Sequence, residues 1–431
     1  MSGDEALSIA TQIFRPPHPW QGEPESNYLH YGHVIDPQTE RVVDEVLLSY
    51  MKAPRTYTRQ DVVEINGHGG IVPLREILSL CLTSGARMAQ EGEFTLRAFV
   101  NGRIDLTQAE AVSDIICAKT EASLRVAVNQ LSGSLASGVT EIRQKLLHTL
   151  AYLEAIIDFP EEDIPPQDIE SELEEAVEQL EVLLGEADRG IIYRQGIHVA
   201  IVGKPNVGKS SLLNTLLRVE RAIVTPIPGT TRDTLEETID LDGIPVVLVD
   251  TAGINETDDV IEQRGIERSR AAVRQADMAL LVVDGSERAT EADHQVAALC
   301  VDKPSIVVVN KDDLPTVSHC EDILPDSSHI AISALRGTGI GALEDLMEEI
   351  ILSDNIVTSS TPVASNPRHR ALFRRALESV VHAQEASRQD LPADFLTIDI
   401  SEAVDALGRV TGETASEELL DNIFSDFCIG K

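Results

Sequence analysis

A chain of 431 residues with 42% apolar content and 3% aromatics has room for two or three domains. Its apolar residues are mostly Leu, Ile, Val and Ala, which suits helical and α/β layers and argues against a β-sandwich. The 72 Asp and Glu against 35 Lys and Arg leave a net charge of −37, so most of the surface repels nucleic acid, and a nucleic-acid role needs a local basic patch or a basic partner.

No apolar run approaches membrane-spanning length, and the first residues lack a basic region followed by an apolar one. Cys81, Cys117, Cys300, Cys320 and Cys428 are scattered without a C-x-x-C pair, which suggests neither a disulfide frame nor a zinc site. The reading is a reducing, cytoplasmic compartment.

In chain order, residues 2–10 read as a helix opening with no strand before it. Residues 30–34 and 45–51 alternate as two strands around a turn at Asp36-Pro37, and 62–65 form a third candidate. The third runs into Asn66-Gly67-His68-Gly69-Gly70. Such a loop can let backbone approach a ligand, but a plain turn is the favoured reading, with His68 a hydrogen-bonded structural residue.

After Glu93-Phe94-Thr95-Leu96-Arg97 the pattern becomes helical. Ile142, Leu146, Leu150, Leu153 and Ile157 recur at helical spacing until Phe159-Pro160 and Pro165-Pro166 break the run. Ile169, Leu173, Val177, Leu180 and Leu184 form a second stripe, and both stripes read as bundle core. The acidic run Glu161-Glu162-Asp163 reads as a solvated helix boundary. The bundle stops near Gly190 and helical sequence resumes from about 368 to 427, so an α/β module over 196–355 is inserted within it, with interruption points near Gln195 and Asn355.

Within that module, the apolar run 199–202 leads into Gly203-Lys204-Pro205-Asn206-Val207-Gly208-Lys209-Ser210-Ser211, followed by an amphipathic helix over 211–217. Two glycines with four residues between them and then Lys-Ser make a phosphate-cradling turn from strand to helix. Backbone N–H groups and the positive helix end face phosphate oxygens, Lys209 reaches the β/γ-phosphates, and Ser210 can ligate Mg²⁺.

Other strand candidates end in polar clusters, where open α/β sheets bind ligands: Asp250-Thr251-Ala252-Gly253, Asp284, Asn310-Lys311-Asp312-Asp313 and Ser333-Ala334. Asp250 can hold Mg²⁺ through water, and the Gly253 N–H can meet the γ-phosphate. A carboxylate at Asp313 accepts two N–H donors from guanine, a pair that adenine does not offer. Asn310 shares the base choice, Lys311 packs over the base, and the Ser333-Ala334 backbone supports guanine O6.

Pro228-Gly229-Thr230-Thr231-Arg232-Asp233 reads as a switch loop whose Thr231 completes the Mg²⁺ shell. Five elements in register imply a GTPase. The Gln that orients water in Ras-type enzymes has no counterpart here, because Ile254 and Asn255 follow Gly253, so another group must take that role.

The C-terminal Phe427-Cys428-Ile429-Gly430-Lys431 resembles the terminal Cys-x-Gly-Lys of the MnmE (TrmE) tRNA-modification GTPases. Glu64-Ile65-Asn66-Gly67-His68-Gly69-Gly70, Gly92-Glu93-Phe94-Thr95-Leu96-Arg97-Ala98-Phe99 and Asn101-Gly102-Arg103-Ile104-Asp105-Leu106 resemble that family as well. The resemblance covers nearly the whole chain. It implies an α+β folate-binding and dimerisation domain over 1–103, an α-helical bundle in two halves over 104–195 and 356–431, and an inserted Ras-like α/β P-loop GTPase domain over 196–355.

It further implies a homodimer whose GTPase domains face one another and bind K⁺ when they meet. Asn206 matches the side-chain ligand, and the loop of Thr225, Ile227 and Thr230 completes that site. Glu262 matches the residue that positions the water network. A 5-formyl- or 5,10-methylene-tetrahydrofolate would bind through Glu64, Arg103 and Lys431, and Cys428 matches a cysteine required for modification. The partner would be the FAD-dependent MnmG, in a heterotetrameric or larger complex. That complex adds an aminomethyl or carboxymethylaminomethyl group to C5 of wobble uridine U34, with tRNA held largely by MnmG. Members usually begin with a strand and a Gly-rich segment ending in Arg just before Ser-Gly. This chain starts after that Arg, so its first domain is read as truncated at its start, which leaves its folate affinity an open question.

Two alternatives carry weaker signals. A ribosome-assembly GTPase shares the P-loop and Gly-Thr-Thr-Arg-Asp stretches but needs an RNA-binding module or a second GTPase domain. A regulatory switch protein leaves the folate-site residues and the terminal Cys-Ile-Gly-Lys unused.

Overall fold

The structure is a computed structural model that describes residues 1–162, 164–219, 236–250, 261–317, 322–352, 364–425 and 427–430. For residues 219, 236, 250, 261–266 and 268 the backbone alone is described. The chain divides into two compact units. One holds Met1–Ser113, Leu131–Arg143 and Val404–Lys431, and the other holds Asp114–Gln130 and Gln144–Ala403.

The first unit is built on an antiparallel sheet ordered β1 (Phe14–Arg15), β2 (Leu29–Ile35), β3 (Val42–Met51) and β4 (Val62–Asn66). Period-two alternation makes β3 two-faced. Val46, Leu48 and Tyr50 are buried, while Glu45 and Leu47 are exposed. The buried side packs with Ile13, Phe14, Val34, Val63, Ile77 and Cys81, drawing in α1 (Ala6–Ile13) and α2 (Ile71–Thr83).

The chain start differs from a plain helix opening. The Val63 N–H donates to the Met1 carbonyl at 3.0 Å and the Gly3 N–H to the Asp61 carbonyl at 2.9 Å, so residues 1–3 lie against the outer edge of β4 before α1 begins. The Gly-rich loop after β4 is a turn into α2. There His68 Nδ1 lies 2.8 Å from Asp44 Oδ1, and that carboxylate pushes the exposed imidazole's pKa up. The expected structural, hydrogen-bonded His68 is what the fold shows.

The C-terminal residues belong to this unit. Phe424 and Phe427 pack with Leu106 and Ala109, and with Leu96 and Phe99 of α3 (Glu93–Val100). The Gly92 N–H donates to the Cys428 carbonyl at 3.5 Å, and Glu91 bridges to Ile429. The tail carrying Cys428 is therefore anchored on the segment that opens α3.

Glu93, in the first turn of α3, is the polar hub here. Its carboxylate accepts Arg87 Nη2 at 2.5 Å, Arg97 Nη2 at 2.7 Å and the Gln90 N–H at 2.9 Å. Hydrogen bonding from Arg87 leads in pulling its pKa from 4.5 to about 2, against desolvation, and the Gln90 N–H and Arg97 add to it. A depressed carboxylate contributes stability that is complete above its unfolded value and is lost as pH falls through its folded value. The expected window of loss runs from pH 4.5 down to about 2. Glu93→Gln should lower unfolding stability at neutral pH by roughly 1–3 kcal/mol and flatten that acid dependence, which chemical denaturation at stepped pH would measure.

The second unit contains long helices and a six-stranded sheet. Its helices include most of α6 (Ser134–Asp158), together with α7 (Ile169–Gln195) and α12 (Pro367–Arg388). On α7 the buried positions are Leu173, Ala176, Leu180, Leu183, Ala187 and Gly190, so Ala176 and Leu183 take the places where Val177 and Leu184 were expected, and small residues continue the stripe at Ala187 and Gly190. Small residues allow close approach, and a Cβ on Gly190 would lie 1.7 Å from the Ala364 carbonyl oxygen. Helix α7 continues past Gly190 to Gln195, where the α/β module begins.

The module's sheet is ordered β10 (Ser328–Ala331), β9 (Ser305–Asn310), β8 (Met278–Asp284), β5 (Ile197–Val202), β7 (Ile244–Asp250) and β6 (Glu236–Leu241). Among the described residues, only the β6–β7 pair of this sheet is antiparallel. Every residue of β8 is buried, as a parallel strand covered on both faces requires. The first layer packs through Val199, Ile201, Leu212 and Leu216, which seats α8 (Lys209–Val219) on the sheet.

Candidate nucleotide-binding site

Strand β5 ends at Val202 and α8 begins at Lys209, so the loop between them is the strand-to-helix turn that phosphate binding needs. Val207 is 1% exposed and anchors the loop from below, while Asn206, at φ 65°, stands exposed on top. Gly208 has φ 103°, and a Cβ there would fall 2.2 Å from Asn310 Nδ2. The Lys209 ammonium donates to the carbonyls of Gly203 and Lys204, each at 2.8 Å, which folds it across the loop mouth.

Asn310, at the end of β9 and 3% exposed, ties the phosphate loop to the base-side loop. Its Nδ2 donates to the Val207 carbonyl at 2.8 Å, and its Oδ1 accepts the Ala334 N–H at 3.0 Å. Thr215 of α8 donates to the Ala334 carbonyl at 2.8 Å, closing the same connection from the helix.

One expectation changes here. The Ala334 N–H is already bonded to Asn310, and the Ser333 N–H donates to the Thr338 carbonyl at 3.0 Å. Both backbone donors assigned to guanine O6 are engaged within the protein, because the Asn310 amide oxygen reaches Ala334 directly.

Ser333 instead uses its hydroxyl, donating to Asp313 Oδ1 at 2.7 Å. That bond leads in holding the Asp313 carboxyl below the usual range, so the acceptor for guanine N–H groups is fixed and ionised. Lys311, at φ 70°, pairs with Asp284 Oδ2 at 2.5 Å.

Sequence reasoning placed Asp284 at a strand end without a role. Register pairs it with Asn310 across β8 and β9, which was the available signal. Burial pushes its pKa up, but Lys311 and Ser286 outweigh that and hold it ionised. Lys204 is a second missed contact, donating to the nearly buried Asp293 at 3.1 Å.

The residues present fit GTP and Mg²⁺. Register pairs Ile201 with Asp250, so the end of β7 lies beside the strand that runs into the phosphate loop. The Ser210 hydroxyl, in the first turn of α8, is the kind of hard oxygen donor that Mg²⁺ takes. Ser211 follows in the same first turn of α8. Thr225, Ile227, Thr230, Thr231, Thr251, Ala252, Gly253 and Lys431 lie outside the described residues. Glu262 lies in α9 (Ile261–Gln275), where its side chain is not described.

In the first unit, Glu64 is exposed on β4 opposite Ser49. Arg103 donates to the Tyr57 carbonyl at 2.9 Å and stacks over the Tyr57 ring at 4.7 Å. Different elements hold these two side chains.

A family model described as GTP-binding protein TrmE N-terminus matches residues 1–103, and one described as MnmE helical domain matches 106–428. The chain is 45% identical to the tRNA modification GTPase MnmE of Alkaliphilus oremlandii over 438 residues, covering 100% of this chain and 95% of that protein. It is 51% identical to the tRNA modification GTPase MnmE of Chloroflexus aurantiacus over 435 residues, with the same coverage.

The chain belongs to the MnmE family of tRNA modification GTPases.

Membership in the MnmE family makes this a GTP-hydrolysing enzyme of tRNA modification, and the phosphate loop and the Asn310–Asp313 cluster point independently to the guanine nucleotide. A crystal structure of Aquifex aeolicus Era bound to GDP·AlF4⁻ is 28% identical over 42% of this chain and 66% of that one, with a TM-score of 0.29. No helix among the described residues is long and apolar enough to cross a membrane.

Proposed function

We propose that this enzyme is a K⁺-stimulated GTPase acting with an MnmG flavoprotein in the cytoplasm. Together they add an aminomethyl or carboxymethylaminomethyl group to C5 of wobble uridine, drawing the one-carbon unit from a tetrahydrofolate. The observation that carries this reading is the grouping of its chemistry-bearing residues. Glu64, Arg103 and the anchored Cys428 tail fall in one compact unit although they lie at opposite ends of the chain. A switch protein without modification chemistry gives that grouping no purpose.

A homodimer held by N-terminal domains is supported by the apolar outer side of the small sheet. Leu29 and Tyr31 on β2 and Leu47 on β3 are exposed there, and Tyr31 pairs directly with Leu47. The net charge of −37 supports a division of labour in which MnmG supplies most of the tRNA-binding surface. Hydrolysis would drive association and opening of the GTPase domains, coupled through the helical domain to modification.

K⁺ would be held by Asn206, which stands exposed on the phosphate loop, and by the loop of Thr225, Ile227 and Thr230. A monovalent cation beside the β/γ oxygens offsets charge that develops as the γ-phosphoryl leaves. Glu262 would order the water, since Ile254 and Asn255, not Gln, come directly after Gly253. GTP turnover in KCl against NaCl at equal ionic strength tests the reading. The expected result is at least about tenfold faster turnover in KCl, an advantage lost in Asn206→Ala. Equal rates in both salts would remove the K⁺ mechanism.

A further inference from the structure

The antiparallel pair β6–β7 ends in the turn Asp242-Gly243, and residues of the helical segment hold that turn. Thr120 Oγ1 donates to the Gly243 carbonyl at 2.7 Å. The Gly243 N–H donates to Asp240 Oδ1 at 2.7 Å, closing the turn from inside. Asp242 at φ 45° and Gly243 at φ 92° are both left-handed, the turn geometry that matches strand twist. A Cβ on Gly243 would lie 2.7 Å from the Ala122 Cβ, so the turn and helix α5 (Glu121–Leu131) touch almost backbone to backbone. The Thr120 hydroxyl is itself fixed, because its oxygen accepts the Ser123 N–H at 3.1 Å while Ser123 Oγ donates to the Thr120 carbonyl at 2.8 Å.

The same short segment also clamps the root of the module. Asp114 accepts Arg194 Nε, at the end of α7, at 2.7 Å. Ser365, on the returning chain, lies 3.3 Å from Asp114 Oδ2 and 3.3 Å from Gln130 Oε1. Residues 114–130 therefore hold both connections of the inserted module and, between them, the tip of its hairpin.

The hairpin is a stiff arm. Its register is unbroken from Leu241 opposite Ile244 to Glu236 opposite Val249, and β7 is paired on its other side with β5. Seven residues of β7 span about 23 Å. At the far end stand Asp250, which opens Asp-Thr-Ala-Gly, and Glu236, which follows closely on Gly-Thr-Thr-Arg-Asp.

We propose that Thr120 is a positioning residue for GTP hydrolysis: its hydroxyl, through the Gly243 carbonyl, sets where the β6–β7 arm holds Asp250. Segment 114–130 thereby senses the state of the switch end of the nucleotide site and acts back on it. The phosphate loop and Asn310–Asp313 lie on other strands, so substrate binding is left largely to them. The inference deepens the reading that hydrolysis is coupled to the helical domain and rests on it. Hydrolysis by the protein alone tests the inference without tRNA or MnmG, so a failure here leaves the modification reading standing.

The test compares steady-state GTP hydrolysis by the full chain, wild type, Thr120→Val and Thr120→Ser, with thermal unfolding alongside. Valine keeps the shape and removes the donor, whereas serine keeps the donor. The expected result is a kcat about tenfold lower in Thr120→Val with KM within about twofold, and near wild-type kcat in Thr120→Ser. By reciprocity of coupling, hydrogen exchange over 121–126 in wild type should differ between GDP and GDP with aluminium fluoride, and that difference should shrink in Thr120→Val. Wild-type kcat in Thr120→Val overturns the proposal. So does a parallel loss of kcat, KM and thermal stability that serine does not rescue, since that pattern marks a purely structural contact.

Discussion

Asp313→Asn is expected to move this enzyme's preference from GTP to xanthosine triphosphate. The Asp313 carboxylate is held by Ser333 at 2.7 Å and is ionised well below neutral pH. It therefore presents acceptors to guanine N1–H and N2–H₂. An amide in that place turns one acceptor into a donor, which faces a guanine donor and leaves both without a partner. Xanthine carries a carbonyl at that ring position and accepts from the same amide. A site built on hydrogen bonds to a base discriminates strongly, so the KM for GTP should rise by about 100-fold or more, with kcat changed much less. Hydrolysis assays with the two nucleotides read the result directly. An unchanged order of preference would show that Asp313 does not face the base.

The second large effect is expected from Gly208→Ala. Gly208 sits at φ 103°, a conformation that costs an L-residue about 1–2 kcal/mol. The added methyl would also lie 2.2 Å from Asn310 Nδ2. Asn310 must then leave the Val207 carbonyl it bonds at 2.8 Å, and with it the Ala334 N–H at 3.0 Å. A buried donor and acceptor lose their partners at a cost of roughly 1–3 kcal/mol each, and both the phosphate side and the base side of the site are disturbed together. GTP affinity should fall by about 100-fold or more, measured by nucleotide titration. Gly138→Ala in α6 is the matched control. Nothing lies within 4 Å of its added Cβ, so affinity should stay at the wild-type value. Equal affinities in the two variants would mean that the loop gives way without consequence.

Much of the nucleotide module was legible in the residues. The strands over 199–202, 246–249, 279–283 and 306–309 appear as β5, β7, β8 and β9, because a strand buried on both faces must be apolar along its whole length. Helix α2 was not read in advance. Its exposed Ile71, Val72, Leu74 and Leu78 blur the helical pattern that buried Ile77 and Cys81 should create. On α7 the favoured stripe through Val177 and Leu184 was displaced by one position to Ala176 and Leu183, the face that also carries Ala187 and Gly190, where closeness counts rather than bulk. Propensity and hydropathy reward large side chains, whereas the close passage of the Ala364–Ser365 backbone at Gly190 requires none.

The sequence by itself determined the chemistry of the nucleotide site. Gly203 to Ser211, Asp250, Asn310 to Asp313 and Ser333 are short local patterns, and a strand-to-turn-to-helix geometry follows from a handful of neighbouring residues. The order of these elements also determined that one module is inserted within another. Tertiary structure alone decided which distant groups share a bond. Asn310 reaches Val207 and accepts the Ala334 N–H, Lys311 finds Asp284, and Thr120 meets Gly243 across 123 positions. The tail carrying Cys428 likewise comes to rest on Glu91 and Gly92. Local patterns are written in steric and hydropathic periodicity along the chain, but a hydrogen bond between remote residues depends on how whole layers pack, and no spacing along the chain encodes that.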